Sequence, residues 1–296
     1  MKMTKTTPEG WPVKRRVTLI GAVVNLFLSA GKILGGVVGQ SQALVADGVH
    51  SLSDLVSDAL VLVASHWGSL EADQNHPYGH ARIETLATLG VGLVLLAVGA
   101  GFLVDSIGRL LDPGRLLSPG WPAFGIASAS VLAKEGLYHY TARVARRTES
   151  VLLRANAWHH RSDALSSVVV IVGIGGVLVG LPWLDAAAAA VVGIMLGWVG
   201  LKLLGGAATE LVDTGLSARE LRALAATIDA VDGVRGHDRL RSRRMGGRIF
   251  VDMRIEVDAR LTVREAQGIA TQVRQQVVDQ LPGNADVVVS LRAESP

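Results

Sequence analysis

Two short polar runs interrupt long apolar stretches, and their spacing is that of ligands on one face of a helix. The first, Ala-Asp-Gly-Val-His-Ser-Leu-Ser-Asp, carries Asp47, His50 and Asp54. The second, Trp-His-His-Arg-Ser-Asp, carries His159 and Asp163. Residues three or four apart lie on the same side of a helix, so each run presents its ligand-type side chains together. An ionisable side chain at bilayer depth costs at least about 2.5–3.5 kcal/mol on insertion scales, and a shared divalent cation offsets that cost. His50, Asp54, His159 and Asp163 form an N2O2 donor set that suits tetrahedral Zn2+ and tolerates Co2+, Cd2+ or Fe2+. Interhelical hydrogen bonding is the bland explanation, and it accounts poorly for two His-x-x-x-Asp pairs on separate stretches. Asp47 is left with three roles: accessory ligand, proton carrier or helix-packing partner. His160 sits about 100° around the helix from His159 and reads as a packing or interface residue. Lys32 and Asn25, isolated in the first apolar stretch, read as snorkelling or interhelical hydrogen-bonding groups.

The elements that must position these residues follow from hydropathy. Of 296 residues, 49% are hydrophobic and 19% charged, against about a quarter charged in soluble domains. Crossing a hydrocarbon core takes about 20 helical residues. Stretches near 17–38, 41–66, 83–103, 121–140, 152–179 and 183–204 meet that length, giving six expected spans. Lys14, Arg15 and Arg16 precede the first span, His80 and Arg82 lie between the second and third, and Arg143, Arg146, Arg147 and Arg154 flank the fourth-to-fifth loop. This bias puts both termini in the cytoplasm. The first residues lack the pattern of a cleaved signal peptide. The net charge of +3 comes from basic residues at membrane edges and in one tail segment, which topology explains without a nucleic-acid partner. The absence of cysteine excludes disulfides, zinc fingers and thiolate metal sites.

Beyond Asp213 the pattern becomes that of a small soluble domain. Ser217 and Glu220 form a capping box for a helix ending near Ala230. Val251, Met253, Ile255 and Val257 alternate with Asp252, Arg254 and Glu256 as in a half-buried strand, after a hairpin turn at Met245-Gly246-Gly247. Val263, Ala266, Ala270, Val273 and Val277 recur at helical spacing, and Val287, Val288 and Val289 form a last strand. The expected fold is therefore an all-α six-helix transmembrane domain over 1–213, followed by a small α+β domain, αββαβ and ferredoxin-like, over 214–296.

Six spans, the two polar motifs and the αββαβ tail resemble the cation diffusion facilitator family over nearly the whole chain. The resemblance implies a transport site built from His50, Asp54, His159 and Asp163, with His at the first position as in zinc-preferring members. It also implies a homodimer that exchanges a divalent metal (Zn2+, or Fe2+, Co2+, Cd2+ or Mn2+) for protons across a bilayer by alternating access, with no prosthetic group. Asp73, His76 and His80, in Asp-Gln-Asn-His-Pro-Tyr-Gly-His, match a peripheral loop metal site; a polar loop whose histidines bond the backbone is the alternative. Arg82 and Asp213 match positions that interlock the membrane and cytoplasmic halves in some relatives. The sequence departs from the family in the tail, where the usual metal-binding positions hold Asp238, Arg254, Gln267, Ser290 and Arg292, with His237 the sole tail histidine. That departure implies a tail that dimerises without a metal cluster, through arginine–carboxylate pairs. The basic run Arg239, Arg241, Arg243 and Arg244 suits acidic groups, anionic lipid or solvent. A prokaryotic plasma membrane is the expected location. A metal-binding scaffold or sensor that moves nothing is the rival reading, and a metallohydrolase lacks its HExxH motif.

Overall fold

A computed structural model describes residues 10–68, 70, 72–148, 150–246, 248–281 and 285–294. Six long helices come first: α1 Gly10–Val38, α2 Gln42–Gly68, α3 Arg82–Leu111, α4 Trp121–Arg147, α5 Val151–Leu178 and α6 Leu184–Leu211. The tail follows as α7 Ala218–Asp229, β1 Gly236–Met245, β2 Arg248–Val257, α8 Val263–Gln280 and β3 Ala285–Ala293. A helical membrane domain and an αββαβ domain are thus the architecture implied by the sequence. Gly247 of the expected hairpin turn and the side chains of Lys14 and Arg15 lie outside the described residues.

Four of the six helices, α1, α3, α5 and α6, are long and apolar enough on their own to cross a membrane. The other two are α2 and α4. Asp47, Asp54 and Asp58 dilute the hydropathy of α2, and Lys134 with its neighbour Glu135 that of α4. The helices are inside-out relative to a soluble bundle. Phe27, Leu132 and Trp198 are each at least 70% exposed, whereas Lys32, Lys134, Ser51 and Ser167 are buried. Large apolar side chains facing outward and polar ones inward suit a hydrocarbon surround, in which association relies on close packing and interhelical hydrogen bonds.

The chain forms two compact units, Met1–Ala59 with Val91–Lys202, and Leu60–Gly90 with Leu203–Pro296. In the first, α4 packs on α5 and α1. Close helix contacts are made at glycine. A Cβ on Gly99 of α3 would stand 2.6 Å from the carbonyl oxygen of Gly193 on α6, and Gly193 and Gly197 form a GxxxG pair. A Cβ on Gly48 of α2 would lie 2.9 Å from the backbone nitrogen of Ile33 and from the Lys32 Cβ. That approach sets Lys32 beside Asp47. The N-terminus of α2 is fixed from another helix. Asp185 of α6 accepts from Ser41 Oγ at 2.6 Å and from the Gln42 N–H at 2.8 Å, while Ser41 Oγ accepts the Leu44 N–H at 3.1 Å.

In the second unit, a three-stranded sheet runs β1-β2-β3, with β1 antiparallel and β3 parallel to β2. Val251, Met253, Ile255 and Val257 join Leu224, Ile228, Val273 and Val277 in one core. The ladder slips between Asp238 and Arg241, where Arg239 takes a positive φ of 50°. Both tail helices begin with capping boxes, Ser217 with Glu220 and Thr262 with Glu265. At the hairpin end Ala81, Met245 and Phe250 pack together, and the Gly246 N–H donates to Glu210.

Candidate metal site

Within the first unit, α1, α2, α4 and α5 meet at a chain of buried polar groups. Lys32 Nζ of α1 lies 2.7 Å from Asp47 Oδ2 of α2 and donates to Ser167 Oγ of α5 at 2.9 Å and to Ser51 Oγ of α2 at 3.3 Å. Ser167 in turn donates to Asp47 Oδ2 at 2.7 Å. Lys134 Nζ of α4 donates to the same Ser51 at 3.1 Å and to Asp163 Oδ2 of α5 at 3.1 Å. The order is Asp47, Lys32, Ser51, Lys134, Asp163, with the two ammonium groups sharing the serine hydroxyl and a carboxylate at each end. Each charge has an opposite charge or a hydroxyl in contact, which is what burial requires of it.

Next to this chain, His50, Asp54 and Asp163 each offer a ligand atom, all within 4.8 Å of one another. His50 Nδ1 stands 4.0 Å from Asp54 Oδ1. His50 Nδ1 and Asp54 Oδ2 are buried yet have no hydrogen-bond partner among the described residues. Leaving such atoms unmet costs free energy, and a cluster of three ligand-type side chains this close can hold a metal ion. His159 Nδ1 lies 3.7 Å from Asp163 Oδ1. Its ring is 47% exposed, and it stands beside the close triad rather than within it.

The other residues singled out by sequence have definite places. Asp47 is engaged by Lys32 and Ser167, the contacts of a helix-packing partner. Lys32 is not a snorkelling group: it is fully buried, because its counter-charge Asp47 sits on the adjoining helix, beyond the reach of spacing arguments. His160 is buried, with neither ring nitrogen bonded among the described residues. Lys134 was not expected at the site; a lone lysine within the fourth apolar stretch was its only signal. Ser51, Ser167 and Asp185 gave none, since buried serines and one acid at a helix start are unremarkable in sequence.

In the second unit, Asp73 accepts the N–H groups of Asn75 at 2.9 Å and His76 at 2.6 Å. Its oxygens lie 3.1 Å from His76 Nδ1 and 3.4 Å from His80 Nε2, and the three side chains offer ligand atoms within 4.8 Å. The His76 backbone N–H holds the Asp73 carboxyl below the usual range. Arg82 Nη2 is 2.7 Å from Asp213 Oδ1, with Asp213 just past α6 at a φ of 59°. Among the tail positions, Asp238 faces Arg254, and Arg254 faces Ser290, across the sheet. Arg254 holds Asp238 through both nitrogens, and Arg292 lies 3.5 Å from Asp238 and 3.4 Å from Glu256. His237 Nδ1 is 2.6 Å from Asp229.

Two family models match in tandem: the cation efflux transmembrane domain over residues 18–212, and the cation efflux protein cytoplasmic domain over 216–291. Metal tolerance protein C1 of Arabidopsis thaliana is 36% identical over 93% of the chain, which spans 62% of that protein's length. Manganese efflux system protein MneP of Bacillus subtilis is 29% identical over 94% of the chain and 95% of the relative. Magnetosome protein MamM of Paramagnetospirillum magneticum is 31% identical over 94% of the chain and 88% of the relative.

Proposed function

This chain belongs to the cation efflux, or cation diffusion facilitator, family, and we propose that it moves a divalent transition-metal ion, zinc foremost, outward across a membrane in exchange for protons. The observation that carries this reading is the convergence of His50, Asp54 and Asp163, with His50 Nδ1 and Asp54 Oδ2 buried and unmet among the described residues. His159, one helical turn from Asp163, completes the donor set. Two imidazoles and two carboxylates without thiolate favour Zn2+ and also accept Fe2+, Co2+, Cd2+ or Mn2+.

Coupling follows from the donors. An imidazole binds metal only when neutral, and it titrates near physiological pH, so protons and metal compete for the same atoms. Protons arriving from the acidic side displace the ion there. Loss of protons to the cytoplasm restores the site. Rocking of helices around a fixed midplane site exposes it to each side in turn. In this reading residues 1–213 form the transport domain and 214–296 a dimerising cytoplasmic domain. Both termini are cytoplasmic, and the bilayer is a prokaryotic plasma membrane. Asp73, His76 and His80 form a peripheral loop site, and Arg82 with Asp213 an interlock.

The test is flux in proteoliposomes carrying an imposed pH gradient, with Zn2+, Mn2+, Fe2+, Co2+ and Cd2+ offered separately. Zinc uptake that collapses the gradient supports the whole reading. Manganese or iron flux alone keeps the exchanger and overturns the metal. Tight binding without flux of any metal leaves a scaffold or sensor.

A further inference from the structure

The two buried lysines differ in one respect. Lys32 has a carboxylate of its own in Asp47, which lies outside the donor set. Lys134 has within ion-pair distance, among the described residues, only Asp163, which is a donor. Asp163 is thereby divided: Oδ2 accepts from Lys134 at 3.1 Å, while Oδ1 turns toward His159 at 3.7 Å. Ser51, fixed between the two ammonium groups, holds Lys134 from its other side. Lys134 is 0% exposed, so water does not screen its charge and a neighbouring ion feels it strongly.

From this geometry we infer that Lys134 is a positioning residue that presents one oxygen of Asp163 to the transported ion and, as a fixed cation beside the site, weakens the hold on that ion so that it is released. The inference rests on the reading of Asp163 as a ligand. Its logic is that of groups behind a metal ligand, which orient the ligand and set its donor strength. A carboxylate already sharing its charge with an ammonium gives less of it to a metal. A divalent ion bound beside Asp163 is also repelled by the ammonium behind it. A carrier needs that restraint, because an ion held too tightly does not leave within a useful time.

Full-length protein with Lys134→Gln or Lys134→Met separates this role from packing. Gln keeps a donor toward Ser51 and Asp163 but no charge, and Met keeps neither. Zinc is the probe, read by calorimetric Kd, by KM and kcat in proteoliposomes, and by the zinc-induced rise in Tm. In Lys134→Gln, Kd and KM should fall at least about tenfold while kcat falls by about threefold or more, and zinc should raise Tm further than in the natural protein. Lys134→Met, which also loses the hold on Asp163, should bind zinc less tightly than Lys134→Gln. An unchanged or higher Kd in folded Lys134→Gln overturns the inference. So does failure of both variants to fold with zinc present, which would make Lys134 structural. Asp163→Asn in the natural background separates the two readings. If it binds and carries zinc normally, the ligand assignment itself fails. If it is inactive while Lys134→Gln keeps its Kd, the role of Lys134 alone fails.

Discussion

His159 and His160 are neighbours in sequence with different surroundings, and the difference is testable. His159 pairs with Asp163, a carboxylate of the proposed donor set, so His159→Ala should weaken zinc binding by more than about tenfold, read by calorimetry. His160 is buried with both ring nitrogens unbonded among the described residues, an arrangement that costs on the order of 1–3 kcal/mol. His160→Leu should therefore raise Tm and leave the zinc Kd within about threefold, because it removes an unmet polar group and no ligand. The approach of His50 to Asp54 and of His159 to Asp163 was readable from sequence because i,i+4 spacing brings each pair together on a single helix. Lys134 was not, since its meaning depends on α4 lying against α5. For Lys32 the interhelical bonding was readable and its burial was not, since its partner Asp47 stands on α2 and a lysine in an apolar stretch otherwise looks like one reaching for the interface.

At the scale of elements, α2 depends on Asp185, which accepts from Ser41 and from the first N–H of the helix. Asp185→Ala leaves those donors buried and unmet, and should lower Tm and transport together, with a stability loss of about 1–3 kcal/mol. The tail sheet offers a pH test. The Arg254 guanidinium beside Asp238 holds its carboxyl below the usual range. A depressed carboxyl contributes stability that is full above the unfolded value, near pH 4, and is lost as pH falls below it. Asp238→Asn should therefore flatten the loss of β1–β2 amide protection below about pH 4, measured by hydrogen exchange. The order αββαβ was readable because periodicity changes from two to helical within the tail. The bulge at Asp238–Arg241 was not, because ladder slips leave little trace in alternation. Within the chain, Asp238 pairs with Arg254 and Arg292, and Arg292 also with Glu256.

At the scale of the molecule, the described chain joins a lipid-compatible helical bundle to an αββαβ domain in which Asp238, Glu256 and Asp258 pair with arginines of the same chain. With Asp238 and Glu256 already engaged, chelators should leave the mass of the proposed detergent-solubilised dimer unchanged, as measured by light scattering. A chelator-induced fall to monomer would mean that a metal bridges the tails. The six-span plan was readable from hydropathy and charge, although α2 and α4 fall short of apolar spans by composition. Asp47 and Lys134 among their charges belong to the buried network and Asp54 to the proposed donor set, so several of the residues that obscure these spans are those the proposed activity requires. The most direct measurement is zinc flux through Asp54→Asn in proteoliposomes, set against the natural protein. Asn keeps the volume and removes one carboxylate from the donor set. Loss of flux with a folded, dimeric protein is the result expected if the buried site on α2 and α5 carries the ion. Flux at the natural rate would contradict it and place the pathway elsewhere in the chain.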